Sequence, residues 1–174
     1  MLTLIKEDGT AKADANTYAS VADGDAYHEG HLYATAWAAA TPEQKAAALV
    51  MASRLIDSYY QFGGVKASMN QGLQWPRLAC YDPDVTSWNR YLASDVVPAG
   101  VKLATCEMAR ELIITDRTAA PAGEGLKYAN IGPNQTGYDP ADRRPVISQV
   151  AQAMLAKYGT VVNAKSGTVR LLRT

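Results

Sequence analysis

The residues best spaced for chemistry in this 174-residue chain are His28 and His31, three apart, with Glu29 between them and Asp25 three positions earlier. On a helix that spacing puts Asp25, His28 and His31 on one face, where three side chains could converge on a metal ion. No second ligand cluster stands out elsewhere, so a polar surface patch is the better reading. Asp82-Pro83-Asp84 has two nearby carboxylates, but neither the glycine nor the distal glutamate of a calcium loop follows, and the segment reads as a turn. Gly63-Gly64, Gly123-Glu124-Gly125 and Gly132-Pro133 lack the lysine and serine or threonine that complete a phosphate-binding loop. Cys80 and Cys106 have no CxxC spacing and no neighbouring histidine, which points to two reduced thiols rather than a zinc or redox site. No serine or cysteine occupies a nucleophile elbow. The sequence thus predicts no enzyme and no cofactor.

The chemistry left is that of binding. Trp75-Pro76-Arg77 combines a large ring, a rigid corner and a fork-shaped cation. Proline biases Trp75 towards extended backbone, so its ring can be driven into a helix pair while Arg77 meets a carboxylate of the same body or of a neighbouring subunit. Trp75 and Pro76 read as a scaffold that pins the loop, and Arg77 reads equally as an internal pairing or as a contact with another molecule. Tyr81, Trp88 and Tyr91 follow in the same turn-rich stretch, 63–97, which is long enough without regular structure to be the expected contact surface.

The elements that must hold this stretch are mainly helical. A short strand at Leu2–Ile5 ends at Asp8-Gly9, and Ser20 caps a helix running through Tyr27 towards Leu32. Thr41-Pro42-Glu43-Gln44 is a capping box with proline at the first helical position, opening a helix over 42–60. Its apolar stripe includes Ala46, Leu49, Val50, Ser53, Ile56 and Tyr60, and Gly63-Gly64 supplies the stop. Pro98 opens a second long helix to about Arg117. Residues 118–144 read as a loop or hairpin arm that orders on assembly, and Pro145 starts a last helix ended by Gly159. The expected fold is mainly α: a compact bundle of about four helices with a small β element and long structured loops. It divides into a helical domain, 1–158, and a basic tail, 159–174.

Charge supports that division. The chain is formally neutral, with 17 acids and 17 bases. After Asp142 no acid occurs, whereas Arg143, Arg144, Lys157, Lys165, Arg170 and Arg173 are all cationic. A basic segment with interspersed apolar residues, Leu171 and Leu172 among them, suits docking onto an acidic partner or nearby DNA, with protein favoured because no aromatic residues interleave there. No apolar run approaches the ~20 residues of a membrane span, so no membrane partner is expected.

The order of features resembles a known family. Glu7-Asp8-Gly9-Thr10, Ala15-Asn16-Thr17-Tyr18-Ala19-Ser20, Leu55-Ile56-Asp57-Ser58-Tyr59, Gln71-Gly72-Leu73-Gln74-Trp75-Pro76-Arg77 and the proline-started Val97–Thr105 are similar to the phage DnaT-like single-stranded DNA binding proteins. The pattern also looks like the head-tail connectors, or adaptors, of tailed bacteriophages, and together these resemblances cover roughly the first two thirds of the chain. The adaptor likeness implies a structural virion protein, made in the host cytoplasm and placed at the head-tail junction. Its partners would be copies of itself in a dodecameric ring, the portal, a tail or tail-terminator (stopper) protein, and packaged DNA passing through the lumen. The residues expected to bind partners are Trp75, Arg77, Tyr81, Trp88 and Tyr91 and, from composition alone, Arg143, Arg144, Lys165, Arg170, Leu171, Leu172 and Arg173. The alternative is a single-stranded DNA binder linked to phage replication, against which the acidic body counts.

Overall fold

Local signals decide where the helices start. Ser20 and Asp23 form a capping box at the head of α1 (Val21–Glu29), and Thr41 and Gln44 form another at α3 (Pro42–Tyr59). Between them lies a five-residue helix, α2 (Thr35–Ala39), which has no side-chain cap. Pro98 precedes α4 (Ala99–Ile114), and Ser148 caps α5 (Gln149–Leu155) by accepting from the Ala151 N–H. The computed structural model describes residues 2–86, 88–120, 128–131, 134–137 and 144–162.

The mainly α bundle expected from the sequence is not what forms. Among the described residues, five helices share the fold with three two-stranded antiparallel pairings, a mixed α and β architecture. α3 passes directly into β1 (Tyr60–Phe62), which pairs with β6 (Gly159–Val161) in the register Tyr60 to Val161 and Phe62 to Gly159. β2 (Val65–Lys66) pairs with β3 (Arg77–Leu78). β4 (Tyr128–Ile131) pairs with β5 (Asn134–Gly137) to form the hairpin within 118–144. The physical reason for the difference is strand length: two to four residues carry too little alternation to be read, so these segments resemble loop or tail. Gly159, expected to end a helix, instead opens β6, so the first residues of the basic tail belong to the body. The last helix starts at Gln149 rather than Pro145.

The core lies where α3 and α5 both pack against α4. Leu49 and Ile56 of α3, Val101 and Met108 of α4, and Ile147 and Leu155 at α5 are all but sealed from solvent. A smaller knot secures the N-terminal segment. The fully buried Glu7 carboxylate accepts from the backbone N–H groups of Gly9 (2.8 Å), Ala11 (3.0 Å) and Lys12 (2.8 Å). Gly9, at φ 109°, packs so closely on Asp95 that an added Cβ would lie 1.9 Å from its carbonyl oxygen. Only glycine fits such a position. No helix among the described residues is long and apolar enough to cross a membrane.

Candidate functional site

Trp75 lies at the centre of the fold. Its side chain is completely buried, with Phe62 (5.5 Å between centroids) and Tyr158 (5.9 Å) meeting it edge to face. T-shaped aromatic pairs add to the apolar burial of such rings. Phe62 belongs to β1 and Tyr158 immediately precedes β6, so the ring sits beneath the joint between the two halves of the chain. It therefore presents no surface to a partner.

Arg77 is also internal. Its Nε donates to the Gly63 carbonyl (2.6 Å), Nη2 to the carbonyls of Gly64 (2.8 Å) and Phe62 (3.3 Å), and Nη1 to the Gln74 carbonyl (3.1 Å) and side chain (3.2 Å). The guanidinium fork gathers carbonyls that a turn at Gly63-Gly64 turns inwards, a job suited to its several fixed donors. Among the described residues no carboxylate forms a salt bridge with it. Of the two roles expected for Arg77, the structure shows the internal one.

A third group, not anticipated from the sequence, completes this bracket. Asp57 on α3 accepts from the Tyr18 hydroxyl and from the Gln74 N–H (3.0 Å), and Tyr18 in turn accepts from the N–H groups of Gln74 (3.0 Å) and Trp75 (3.3 Å). Burial pushes the Asp57 carboxyl up to about 6, and the hydrogen bonds from Tyr18 and Gln74 oppose that rise without cancelling it. The available signal was an aspartate on the apolar side of a helix, two residues before the Tyr59-Tyr60 pair.

Beyond the bracket the chain makes a hairpin that faces solvent. The Asp82 N–H donates to the Arg90 carbonyl and the Leu92 N–H to the Cys80 carbonyl, both at 2.9 Å, and Tyr81 pairs with Tyr91 between these bonds. Paired residues on antiparallel strands project to the same side, so the two phenol rings share one face. Both are about half exposed, and Trp88, near the tip, is 95% exposed. Arg90 beside it is also exposed, at φ 51°. Acids lie close by: Lys157 is paired with Asp84 at 2.6 Å and approaches Asp82 at 3.7 Å. Tyr81, Tyr91 and Trp88 thus expose aromatic rings on one hairpin, with the exposed Arg90 in no ion pair among the described residues, and such rings can stack on planar groups.

The His28 and His31 region is a packed polar network. His28 is buried and its Nε2 lies 3.1 Å from the Cys106 carbonyl. The buried Glu107 carboxylate accepts from Arg110 Nη2 (2.6 Å) and the Tyr27 hydroxyl (3.3 Å), with His31 Nε2 3.7 Å away. Arg110 also binds Glu111 (2.8 Å), which Arg117 approaches at 3.3 Å, and Arg117 reaches the carbonyls of Pro145 (2.7 Å) and Val146 (2.9 Å). These bonds tie α1, α4 and the approach to α5 together. Among the described residues no group of three or more His, Cys, Asp or Glu side chains is placed to hold a metal ion.

Of the basic residues singled out, Arg144 is exposed and donates to the Asp116 carbonyl at 2.9 Å. Arg143, Lys165, Arg170, Leu171, Leu172 and Arg173 lie outside the described residues.

Comparison with known families gives one match, over residues 2–174, to the family described as "Putative DnaT-like ssDNA binding protein". No curated protein and no solved structure matches the chain, so the likeness to head-tail adaptors rests on the residues quoted above alone.

Proposed function

Since the chain belongs to the DnaT-like single-stranded DNA binding family, we propose that it binds single-stranded DNA through the aromatic hairpin 81–91. The observation that carries this reading is the exposure of Tyr81, Trp88 and Tyr91 on one hydrogen-bonded hairpin, with the exposed Arg90 beside Tyr91 as a cation for a phosphate. Bases stack on such rings with little regard to sequence, each stacked base being worth about 1–3 kcal/mol. Asp82, Asp84 and the net acidic body limit the electrostatic share, so binding draws more on stacking than on counterion release.

The test uses the chain's own fluorescence. Trp37 and Trp75 are buried and Trp88 is exposed, so quenching by an added oligothymidylate reports on the hairpin. Because the variant lacks the reporting ring, both proteins are also compared by the anisotropy of a dye-labelled oligothymidylate, in which Trp88→Ala is expected to weaken binding by roughly 5- to 150-fold, the equivalent of about 1–3 kcal/mol. The salt dependence should be shallow, corresponding to roughly one or two phosphates neutralised. Equal affinity in wild type and Trp88→Ala would overturn the placement, and absence of any binding at low salt would overturn the reading.

A second reading draws support from a different observation. Leu32 (91% exposed), Tyr33 and Met69 (99% exposed) project from turns outside the hairpin. Exposed apolar tips of this kind are what neighbouring subunits bury. This reading makes the chain a non-catalytic virion protein at the head-tail junction, forming a ring that joins the portal to the tail. Failure of the tagged protein to enter portal-containing particles would refute it.

A further inference from the structure

Beside the aromatic hairpin, β1 and β6 border an open cleft of about 540 Å³, within the roughly 300–1,000 Å³ of small-ligand sites. Tyr81 belongs to both features. Its half-exposed ring is paired with Tyr91 on the hairpin and also lines the cleft, so a strand stacked on the hairpin runs beside the cleft's mouth.

The strand pairing sets what the cleft can recognise. Gln61 is registered with Thr160, so their side chains project to one face of the β1–β6 pair. Tyr60 and Phe62, on either side of Gln61, are buried, which leaves the amide and the hydroxyl on the outer face, both exposed and both lining the cleft. Gly63 and Gly159 add backbone without side chains, so a flat group can approach closely. An amide offers one acceptor and one donor side by side, the complement of the N6 amino group and N7 of adenine, and a hydroxyl can serve as either partner. Charge favours a base over a phosphate here. Lys157, at the cleft, is already paired with Asp84 (2.6 Å) and lies 3.7 Å from Asp82, so an anion would meet two carboxylates and a lysine that they already hold.

We propose that the cleft is a base-reading subsite that takes a single adenine from a bound DNA strand, with the N6 and N7 edge hydrogen-bonded to the Gln61 amide and the Thr160 hydroxyl supporting it. The other bases stack on the hairpin rings without selection. This deepens the DNA-binding proposal and rests on it: the hairpin supplies affinity, and the cleft adds a preference at one position of the strand.

The experiment measures, by anisotropy, the binding of the full chain to three dye-labelled strands: an oligothymidylate, the same strand with one central thymine replaced by adenine, and the same strand with guanine there. Guanine stacks as a purine but presents two acceptors to an amide that pairs one donor with one acceptor. The adenine strand is expected to bind roughly 5-fold tighter or more than the other two, the lower end of what a bidentate base contact supplies, because the cleft is open to water. Gln61→Ala combined with Thr160→Val, at two exposed positions, should bring the adenine strand level with the others, whereas Trp88→Ala should weaken all three in proportion. Equal affinity of the wild type for the three strands, or a preference for adenine that survives the double variant, overturns the cleft proposal and leaves the hairpin standing. A chain that binds none of the strands overturns both.

Discussion

Replacing Arg77 by methionine separates an internal brace from a contact with another molecule. Methionine keeps much of the side chain's length and apolar stem but leaves the carbonyls of Phe62, Gly63, Gly64 and Gln74 without their donors. Hydrogen bonds from a charged donor are worth about 1.5–3 kcal/mol singly, but four acceptors sharing one guanidinium do not add, and water reaches the outer ones. We therefore expect a loss of about 3–4 kcal/mol in urea unfolding, with an unchanged m value. The melting temperature should fall by roughly 10 °C, at about 2–4 °C per kcal/mol for a chain of this size. Arg77→Lys should lose about 2 kcal/mol, because an ammonium cannot span carbonyls spread across a fork. A loss below about 1 kcal/mol for Arg77→Met, accompanied by impaired DNA binding or association, would refute the reasoning and return Arg77 to the surface role.

The Asp57 carboxyl, raised to about 6 from its ordinary 3.8, contributes stability that is full below about pH 4 and is lost as pH rises through 6. The difference amounts to about 3 kcal/mol, and Asp57→Asn should flatten this slope in unfolding curves measured from pH 4 to 7. Gly24→Ala should destabilise by about 1–3 kcal/mol in chemical denaturation even though alanine favours helix, because the new Cβ would lie 2.5 Å from the Trp37 ring. Thr41→Ala should cost about 1 kcal/mol of thermal stability through loss of the α3 cap.

What was legible in the sequence was what neighbouring residues decide between themselves. Ser20 with Asp23, and Thr41 with Gln44, announce helix starts because both halves of each capping box lie within one turn. The α3 and α4 stripes were readable for the same reason. The scaffold role of Trp75 followed from ring size and the proline beside it. Where two distant segments must meet, the signal vanished: nothing in Gly159-Thr160-Val161 names Tyr60–Phe62 as its partner. Arg77 is the intermediate case. Its fork implied several acceptors, but that they are backbone carbonyls 13 to 15 positions away follows only from the turn at Gly63-Gly64. The buried Glu107 cluster and the Tyr18–Asp57 bond were missed because titratable residues on helices usually face water.

The pairing of β1 with β6 also governs how the protein is made. About 100 residues separate Phe62 from Gly159, and Tyr158, whose ring closes over Trp75, is completed just before β6. On the ribosome, at about 5–20 residues per second, α3 and β1 wait roughly 5–20 s for their partner strand to be synthesised. Throughout that interval Phe62 and Trp75 lack a lid, so the nascent chain carries sticky aromatic surface for about half of its synthesis. A host chaperone that retains nascent chains would have its longest opportunity on this one between those two strands, and slowing translation there should lower the soluble yield.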